Sequence, residues 1–307
     1  MEKLVLKKAT KVLKPIKGFF YGPTGSGKTY SSLLIANGFI QKLRNCTEEE
    51  AWQHILLLDT EQGRGALYAG LGEYNHHSIT PPFDTVKLVD LLNQVNLMDE
   101  IDVVIIDSLT HFWSKKGGIL EQKTLADTKP NANTFTSWNL FGAKFNEMID
   151  NILLSPKHIF ITARAKSDTV LSLDDKGKMV PRTYGLKPDL REGFEYECDF
   201  TFNIDKETHE ILVEKNFPGM STTFPVATIE TGVHLYNLWT EKAIVKERTY
   251  DEIAQSIRTL SQTHGLIQFV QLALSGRKLE PESLPLEQLQ KLEKDLIIEV
   301  RKKQAKH

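Results

Sequence analysis

The 307-residue sequence holds only two cysteines, Cys46 and Cys198, and neither has a neighbour at metal-ligand spacing. One bridge is the most the chain can form, so a disulfide-stapled fold is excluded, a zinc module is not expected, and both residues read as free thiols. Adjacent His76-His77 and the isolated His111 show no ligand pattern either and read as surface or core histidines. No apolar run approaches the roughly 18 to 20 residues that cross a bilayer. The opening Met1-Glu2-Lys3-Leu4-Val5-Leu6-Lys7-Lys8 lacks the apolar stretch of a secretory signal. The expectation is a cytoplasmic protein with no membrane partner. An excess of one charge is also missing: 38 Lys and Arg face 40 Asp and Glu, for a formal net charge of -2. Any nucleic-acid binding must therefore come from local basic loops rather than from a global field. Internal repeats and low-complexity tracts are absent. What remains, with 40% hydrophobic and 25% charged residues, is an ordinary globular composition whose length fits one large domain plus a smaller appendage.

Residues 1–17 alternate apolar positions with Lys3, Lys7, Lys8, Lys11, Lys14 and Lys17 and read as a basic strand or short hairpin, solvated by its lysines. From 18 to about 240, short β-rich runs alternate with amphipathic stretches, the pattern of a mostly parallel twisted sheet with helices on both faces. The strand candidates are Phe19 to Tyr21, Ile55 to Asp59, Val103 to Asp107 and His158 to Thr162. Helical spacing follows the first strand (Leu33, Ala36, Ile40, Leu43) and precedes the third (Val86, Val89, Leu92) and the fourth (Phe141, Phe145, Met148, Ile152). Antiparallel hairpins are expected at one edge, one around Asp174-Asp175-Lys176-Gly177 and one pairing Phe200 to Ile204 with Ile211 to Glu214. From 241 to 307 the chain reads as a small helical region. Thr249 to Glu252 fits a capping box, Leu266 to Ser275 a short helix, and Leu286, Leu289, Leu292, Leu296 and Val300 a stripe behind Pro285. That stripe suits packing within a small bundle or docking of a partner or second copy.

The chemistry lies at Gly22-Pro23-Thr24-Gly25-Ser26-Gly27-Lys28-Thr29, which matches G-x-x-x-x-G-K-[ST] directly after a strand and before a helix. Glycines let main-chain N–H groups curl around phosphate oxygens, and the helix N-terminus adds partial positive charge. The expected ligand is ATP, held by Gly22 to Thr29 with Tyr30 next in line; Lys28 is expected to bridge the β- and γ-phosphates and Thr29 to place its hydroxyl on Mg2+. Val103 to Ile106 deliver Asp107 to the strand end where ligands bind in open α/β sheets, which makes Asp107 the second Mg2+ candidate. Ser108, not Glu, follows it. A carboxylate able to orient the attacking water appears instead at Glu61, just past Leu56-Leu57-Leu58-Asp59-Thr60, so Glu61 is the candidate base.

These features resemble the RecA-like ATPases, which carry a Glu after an Asp-Thr or Asp-Ala pair on the second strand and a Walker B strand ending in Asp-Ser; here they are Asp59-Thr60-Glu61 and Asp107-Ser108. From Lys11 to about Phe224 the chain looks like phage-encoded RecA-like ATPases of the Sak type. That resemblance implies a RecA-like P-loop NTPase fold and a role in single-strand annealing or recombination in a bacterial host cytoplasm. Where RecA has an Asn-Gln pair on its nucleotide-sensing strand, this sequence has Thr162-Ala163; Arg164 or Thr162 takes the polar role. Lys215 matches the lysine that such ATPases push into a neighbouring subunit's site, with Phe217 where the helicase version has its arginine. The resemblance thus implies a homo-oligomer, ring or filament, with ATP at subunit interfaces.

Two loops carry cations beside aromatics, as single-stranded DNA would require. One runs from His111 to Ser137 with Trp113, Lys115 and Lys116; the other contains Lys166, Lys176, Lys178, Arg182, Tyr184, Lys187 and Arg191. Lys115, Lys116, Lys176, Lys178, Arg182 and Lys187 are the DNA-binding candidates. The function expected is a DNA-stimulated recombination ATPase, with a single-strand-binding or other replication protein as a further partner. A replicative motor or loader, and a nucleotide-gated interaction protein with no DNA role, are the alternatives.

Overall fold

The structure is a computed structural model that describes residues 11, 13–130, 133–173, 179–241, 250–280 and 283–304. In chain order its strands are β1 (Lys17–Gly22), β2 (Ile55–Asp59), β3 (Asn75–Ser78), β4 (Val103–Asp107), β5 (His158–Leu173), β6 (Met179–Pro188), β7 (Phe200–Ile204), β8 (Ile211–Lys215) and β9 (Thr223–Phe224). The helices are α1 (Lys28–Arg44), α2 (Glu48–Trp52), α3 (Thr85–Val95), α4 (Thr110–Ser114), α5 (Ile119–Asp127), α6 (Thr134–Leu154), α7 (Ile229–Thr240), α8 (Tyr250–Thr263), α9 (Ile267–Leu274) and α10 (Leu286–Gln304). The chain divides into two compact units, the larger spanning Leu13–Ala243.

The strands of the larger unit lie in the order β3-β2-β4-β5-β1-β7-β8-β9, with β6 paired to β5. From β3 to β7 the pairs are parallel; β8, β9 and β6 add antiparallel edges. This is an α/β P-loop NTPase core. The central strands are buried along their whole length, which the period of two turns into two separate cores. On one face Phe19, Leu58, Ile106 and Ile161 pack with Leu88 and Leu92 of α3 and Phe141 and Phe145 of α6. On the other, Phe20, Leu57, Ile105 and Phe160 pack with Leu33, Phe39 and Ile40 of α1 and Leu235 of α7. There α1 and α7 touch backbone to backbone: a Cβ at Gly38 would lie 1.9 Å from Ile229 O, and one at Gly232 2.1 Å from Ile35 O.

Three details differ from expectation. Lys17, read as solvated, is buried at the start of β1, its Nζ donating to Ser155 O at 2.8 Å and Lys157 O at 2.6 Å. Val86 points outward at 57% exposure, and α3 buries Leu88, Leu92 and Val95 instead. The stretch from His111 to Ser137 is not a plain loop: it holds α4, α5 and the start of α6, with Trp113 buried against Phe145. Residues 1–10 and 12, the whole of the expected turn Asp174-Asp175-Lys176-Gly177, and Thr249 of the expected capping box lie outside the described residues.

In the smaller unit α8, α9 and α10 share a core of Ile253, Ile257, Val270, Leu289, Leu292 and Leu296, and Val300 of α10 is buried as well. The leucine stripe of α10 is thus mostly consumed by packing, with Leu286 left 38% exposed.

Candidate active site

Strand order sets up the site. Because β5 lies between β1 and β4, and β2 flanks β4, four strand ends open onto one edge of the sheet. Register keeps them level: Gly22 pairs with Arg164, Ile106 with Ile161, and Asp59 with Asp107.

The loop after β1 reaches α1 through Gly25 and Gly27, both left-handed at φ +86° and +89°. Gly27 caps α1 without a side-chain bond, and no acidic residue occupies the first turn, so the N-terminal amides face an anion site unopposed. Ser26 Oγ is buried without a hydrogen-bond partner among the described residues. His209, in the β7–β8 turn, donates from Nδ1 to Ser26 O at 2.9 Å and braces the loop. Lys28 Nζ donates to Gly22 O at 3.0 Å and Pro23 O at 2.7 Å. Burial pushes its pKa down to about 8, and the carboxylates of Asp107 and Glu61 only partly offset that. Tyr30 is partly exposed, its ring 6.1 Å from that of Tyr68.

Asp107 is buried and accepts two hydroxyls, Thr29 Oγ1 at 2.6 Å and Thr162 Oγ1 at 2.5 Å. Burial raises its pKa, against the pull of both hydrogen bonds. Thr29 and Asp107 are hard oxygen donors within reach of one ion. They fit Mg2+, which keeps most of its waters and takes one or two protein ligands beside phosphate oxygens.

Glu61 leaves β2 toward the same edge. Arg164 Nη2 donates to its Oε2 at 2.6 Å and Oε1 at 2.8 Å, and Nε to Oε1 at 3.1 Å. Arg164 is itself fixed through its backbone N–H, which donates to Thr110 Oγ1 at 2.9 Å. The loop carrying Glu61 is held at both preceding residues. Fully buried Asp59 accepts the amides of Glu61 at 2.5 Å and Gly65 at 2.9 Å, and His76 Nε2 lies 3.0 Å away. Thr60 N donates to Asp107 O at 2.7 Å, and Thr60 Oγ1 accepts Ser108 N–H at 2.8 Å. His111 donates from Nδ1 to Thr60 O at 3.0 Å, which leaves Nε2 3.5 Å from Glu61 Oε1. Burial lowers the His111 pKa, opposed by Glu61.

The structure therefore gathers Lys28, Thr29, Asp107, Glu61, Thr162 and Arg164 and adds supporting contacts from Asp59, His76, His111 and His209. Thr162 and Arg164, the two residues between which the sequence left a single polar role open, each have a separate carboxylate to serve. The histidines carried no spacing signal, because their partners are 17, 50 and 183 residues away in sequence. Lys215 joins none of these contacts: its Nζ donates to Tyr196 O at 2.5 Å. Of the DNA-binding candidates, Lys115 and Lys116 are exposed and line a cavity of about 400 Å³ with Glu61 and Arg164. Lys187 pairs with Asp168 at 2.7 Å, Arg182 is in β6 opposite Val170, and Lys176 and Lys178 lie outside the described residues. No described helix is long and apolar enough to cross a membrane.

A family model described as an AAA domain matches residues 14–251. No curated protein matches the chain.

Proposed function

The chain belongs to the AAA domain family of P-loop ATPases, and within that family we propose, on the residues that resemble RecA-like ATPases, that it is a phage-type recombination ATPase. In this reading it hydrolyses ATP while bound to single-stranded DNA and promotes annealing or strand exchange. The observation that carries the reading is the convergence of Lys28, Thr29, Asp107, Glu61 and Arg164 at one sheet edge.

Each residue then has a distinct task. The amides at the start of α1 and Lys28 Nζ hold the phosphates, with Lys28 giving up its bonds to Gly22 O and Pro23 O to do so. Thr29 and Asp107 hold Mg2+. Thr162 keeps the Asp107 carboxylate turned toward Thr29. Glu61 orients the attacking water and accepts its proton. Bound ATP with Mg2+ would supply the electrophilic γ-phosphorus, with ADP as the leaving group. Arg164 takes a polar role beside the γ-phosphate once it parts from Glu61. Lys215 acts in trans, entering the site of a neighbouring subunit, so nucleotide lies at subunit interfaces and an isolated subunit turns over slowly.

The DNA half of the reading is supported by the exposed Lys115 and Lys116 beside Glu61, and by Trp138, 42% exposed, stacked on Trp113 with Lys123 Nζ 4.9 Å above its ring. The C-terminal helices suit contact with a single-strand-binding or other replication protein.

The test is ATP hydrolysis with and without single-stranded DNA, in the wild type and Glu61→Gln. Stimulation by DNA in the wild type is expected. In Glu61→Gln the rate falls by about 10²- to 10⁴-fold while nucleotide binding holds. Full hydrolysis by the variant removes Glu61 from its role. Failure to bind an oligonucleotide at low salt with ATP present removes the DNA role, and ATP-driven strand displacement replaces annealing with a motor.

A further inference from the structure

The turn between β7 and β8 presents one side chain to the phosphate loop, and its own bonds fix where that side chain goes. Asp205 Oδ1 accepts the amides of Glu207 at 2.8 Å and Thr208 at 2.9 Å and the Thr208 hydroxyl at 3.2 Å, while Asp205 N donates to Glu210 O at 2.9 Å. Between these closures His209 sits in the left-handed region at φ +59°, a conformation that L-residues avoid and that glycine would adopt without strain. The imidazole makes no bond within the turn among the described residues. Its Nδ1 donates instead to Ser26 O at 2.9 Å and lies 3.5 Å from where a Cβ on Gly27 would stand. A side chain kept at a strained backbone position, with its one bond directed at another element, points to a task in that element.

The bond fixes more than a carbonyl. The peptide joining Ser26 to Gly27 is trans, so Ser26 C=O and Gly27 N–H point in opposite directions within one plane. With Ser26 O held toward the β7–β8 turn, Gly27 N–H points away from it, toward the side of the loop where main-chain amides collect around an anion. That N–H donates to nothing among the described residues. Little else restrains the plane. His209 is the one donor to Ser26 O among the described residues, Ser26 Oγ has no partner there, and Gly27, at φ +89°, has no side chain to resist rotation. Turned over, the same peptide presents its carbonyl oxygen to the phosphate oxygens and repels them.

We propose that His209 is a positioning residue for nucleotide binding: by holding Ser26 O it keeps Gly27 N–H directed at the phosphates, while touching no phosphate itself. This rests on the reading of the loop as a nucleotide site and is independent of the DNA and recombination reading. It also gives the β7–β8 turn, far from the phosphate loop in sequence, a share in the affinity for ATP.

The experiment compares wild type with two variants. His209→Gly removes the donor and the backbone strain together; His209→Asn tolerates the left-handed region and can bring an amide N–H close to the place of Nδ1. Titration calorimetry with ADP and steady-state ATP hydrolysis without DNA are the readouts. His209→Gly should bind ADP about tenfold more weakly, as for one lost hydrogen bond to a charged group. Its KM for ATP should rise by a similar factor while kcat stays within about threefold. His209→Asn should recover most of the affinity. If His209→Gly binds ADP as tightly as wild type, or only its urea midpoint without nucleotide falls, His209 merely holds the turn and the proposal is overturned while nucleotide binding stands. A loss that His209→Asn fails to recover overturns the bond to Ser26 O as its cause. A wild type that binds no ADP removes the nucleotide site, and this role with it.

Discussion

The buried carboxylate of Asp59 accepts the amide N–H of Glu61, so the residue that ends β2 dictates where the loop glutamate points. Its second oxygen takes Gly65 N–H and His76 Nε2, which makes Asp59 the knot of the turn. It touches no phosphate-loop group and acts only through Glu61, as a positioning residue. Asp59→Ala should therefore lower kcat at least about tenfold, since a misplaced base loses catalysis steeply, and leave the KM for ATP within a factor of about three. Asp59→Asn, which keeps one acceptor, should recover part of the rate. A change confined to KM would remove Asp59 from this role, and steady-state kinetics on the two variants decides it.

Lys28 supports a prediction about protons. Without phosphates beside it, burial holds its pKa near 8, and binding a polyanion raises it again. Protonated Lys28 is the form that binds, so affinity falls as pH rises through the free-state pKa. Between pH 7 and pH 9 the loss should be about tenfold, with close to one proton taken up per nucleotide at pH 9. Titration calorimetry in two buffers of different ionisation heat measures that uptake. Lys28→Met should bind weakly and take up none.

Much of the fold could be read from the sequence because β1, β2, β4 and the first part of β5, His158 to Ala163, are mostly apolar runs, buried on both sides. β3 could not: Asn-His-His-Ser has no apolar residue, is exposed throughout, and is a strand only because its backbone pairs with β2. Strand order was equally hidden. Nothing local to His158–Thr162 says that this strand inserts between β1 and β4, yet that insertion brings Thr162 to Asp107 and Arg164 to Glu61. Short-range motifs located the phosphate loop; the support of Glu61 comes from residues whose partners only the folded sheet supplies. His76 and His111 belong to that second kind, and so does Lys17, whose charge suggested solvent but whose Nζ finishes two carbonyls at the far end of the sheet.

Gly38 and Gly232 test the contact of α1 with α7. Each faces the other helix's backbone at a distance that no Cβ tolerates, and backbone cannot rotate aside as a side chain can. Gly38→Ala or Gly232→Ala should each cost about 3 kcal/mol or more, at the upper end for overpacking. Gly142, in α6, borders open space: a Cβ there would meet nothing within 4 Å. Gly142→Ala should instead stabilise by about 0.5 to 1 kcal/mol through helix propensity. Denaturant midpoints of the three variants check both signs, and a neutral Gly232→Ala would show that the helices can separate freely.

His158 makes the fold acid-sensitive in a window above the carboxylates. Its Nδ1 accepts Ile16 N–H at 3.1 Å, and its ring is wedged 4.7 Å from Phe39 and 5.1 Å from Trp239. Burial, with Lys17 and Lys157 nearby, lowers its pKa from 6.5 to about 3. The unfolded chain therefore binds a proton that the folded chain refuses between those two values. Stability from this residue is complete above pH 6.5 and falls as the solution is acidified, by about 1.4 kcal/mol per pH unit. From pH 7 to pH 5 that amounts to about 2 kcal/mol, before most carboxylates begin to titrate. His158→Gln keeps an acceptor for Ile16 N–H but cannot take the proton. Whatever its stability at pH 7, its loss between pH 7 and pH 5 should be smaller than wild type's by about that amount. Urea unfolding at the two pH values, followed by tryptophan fluorescence, gives the difference; equal losses in the two proteins would mean that His158 does not set the slope.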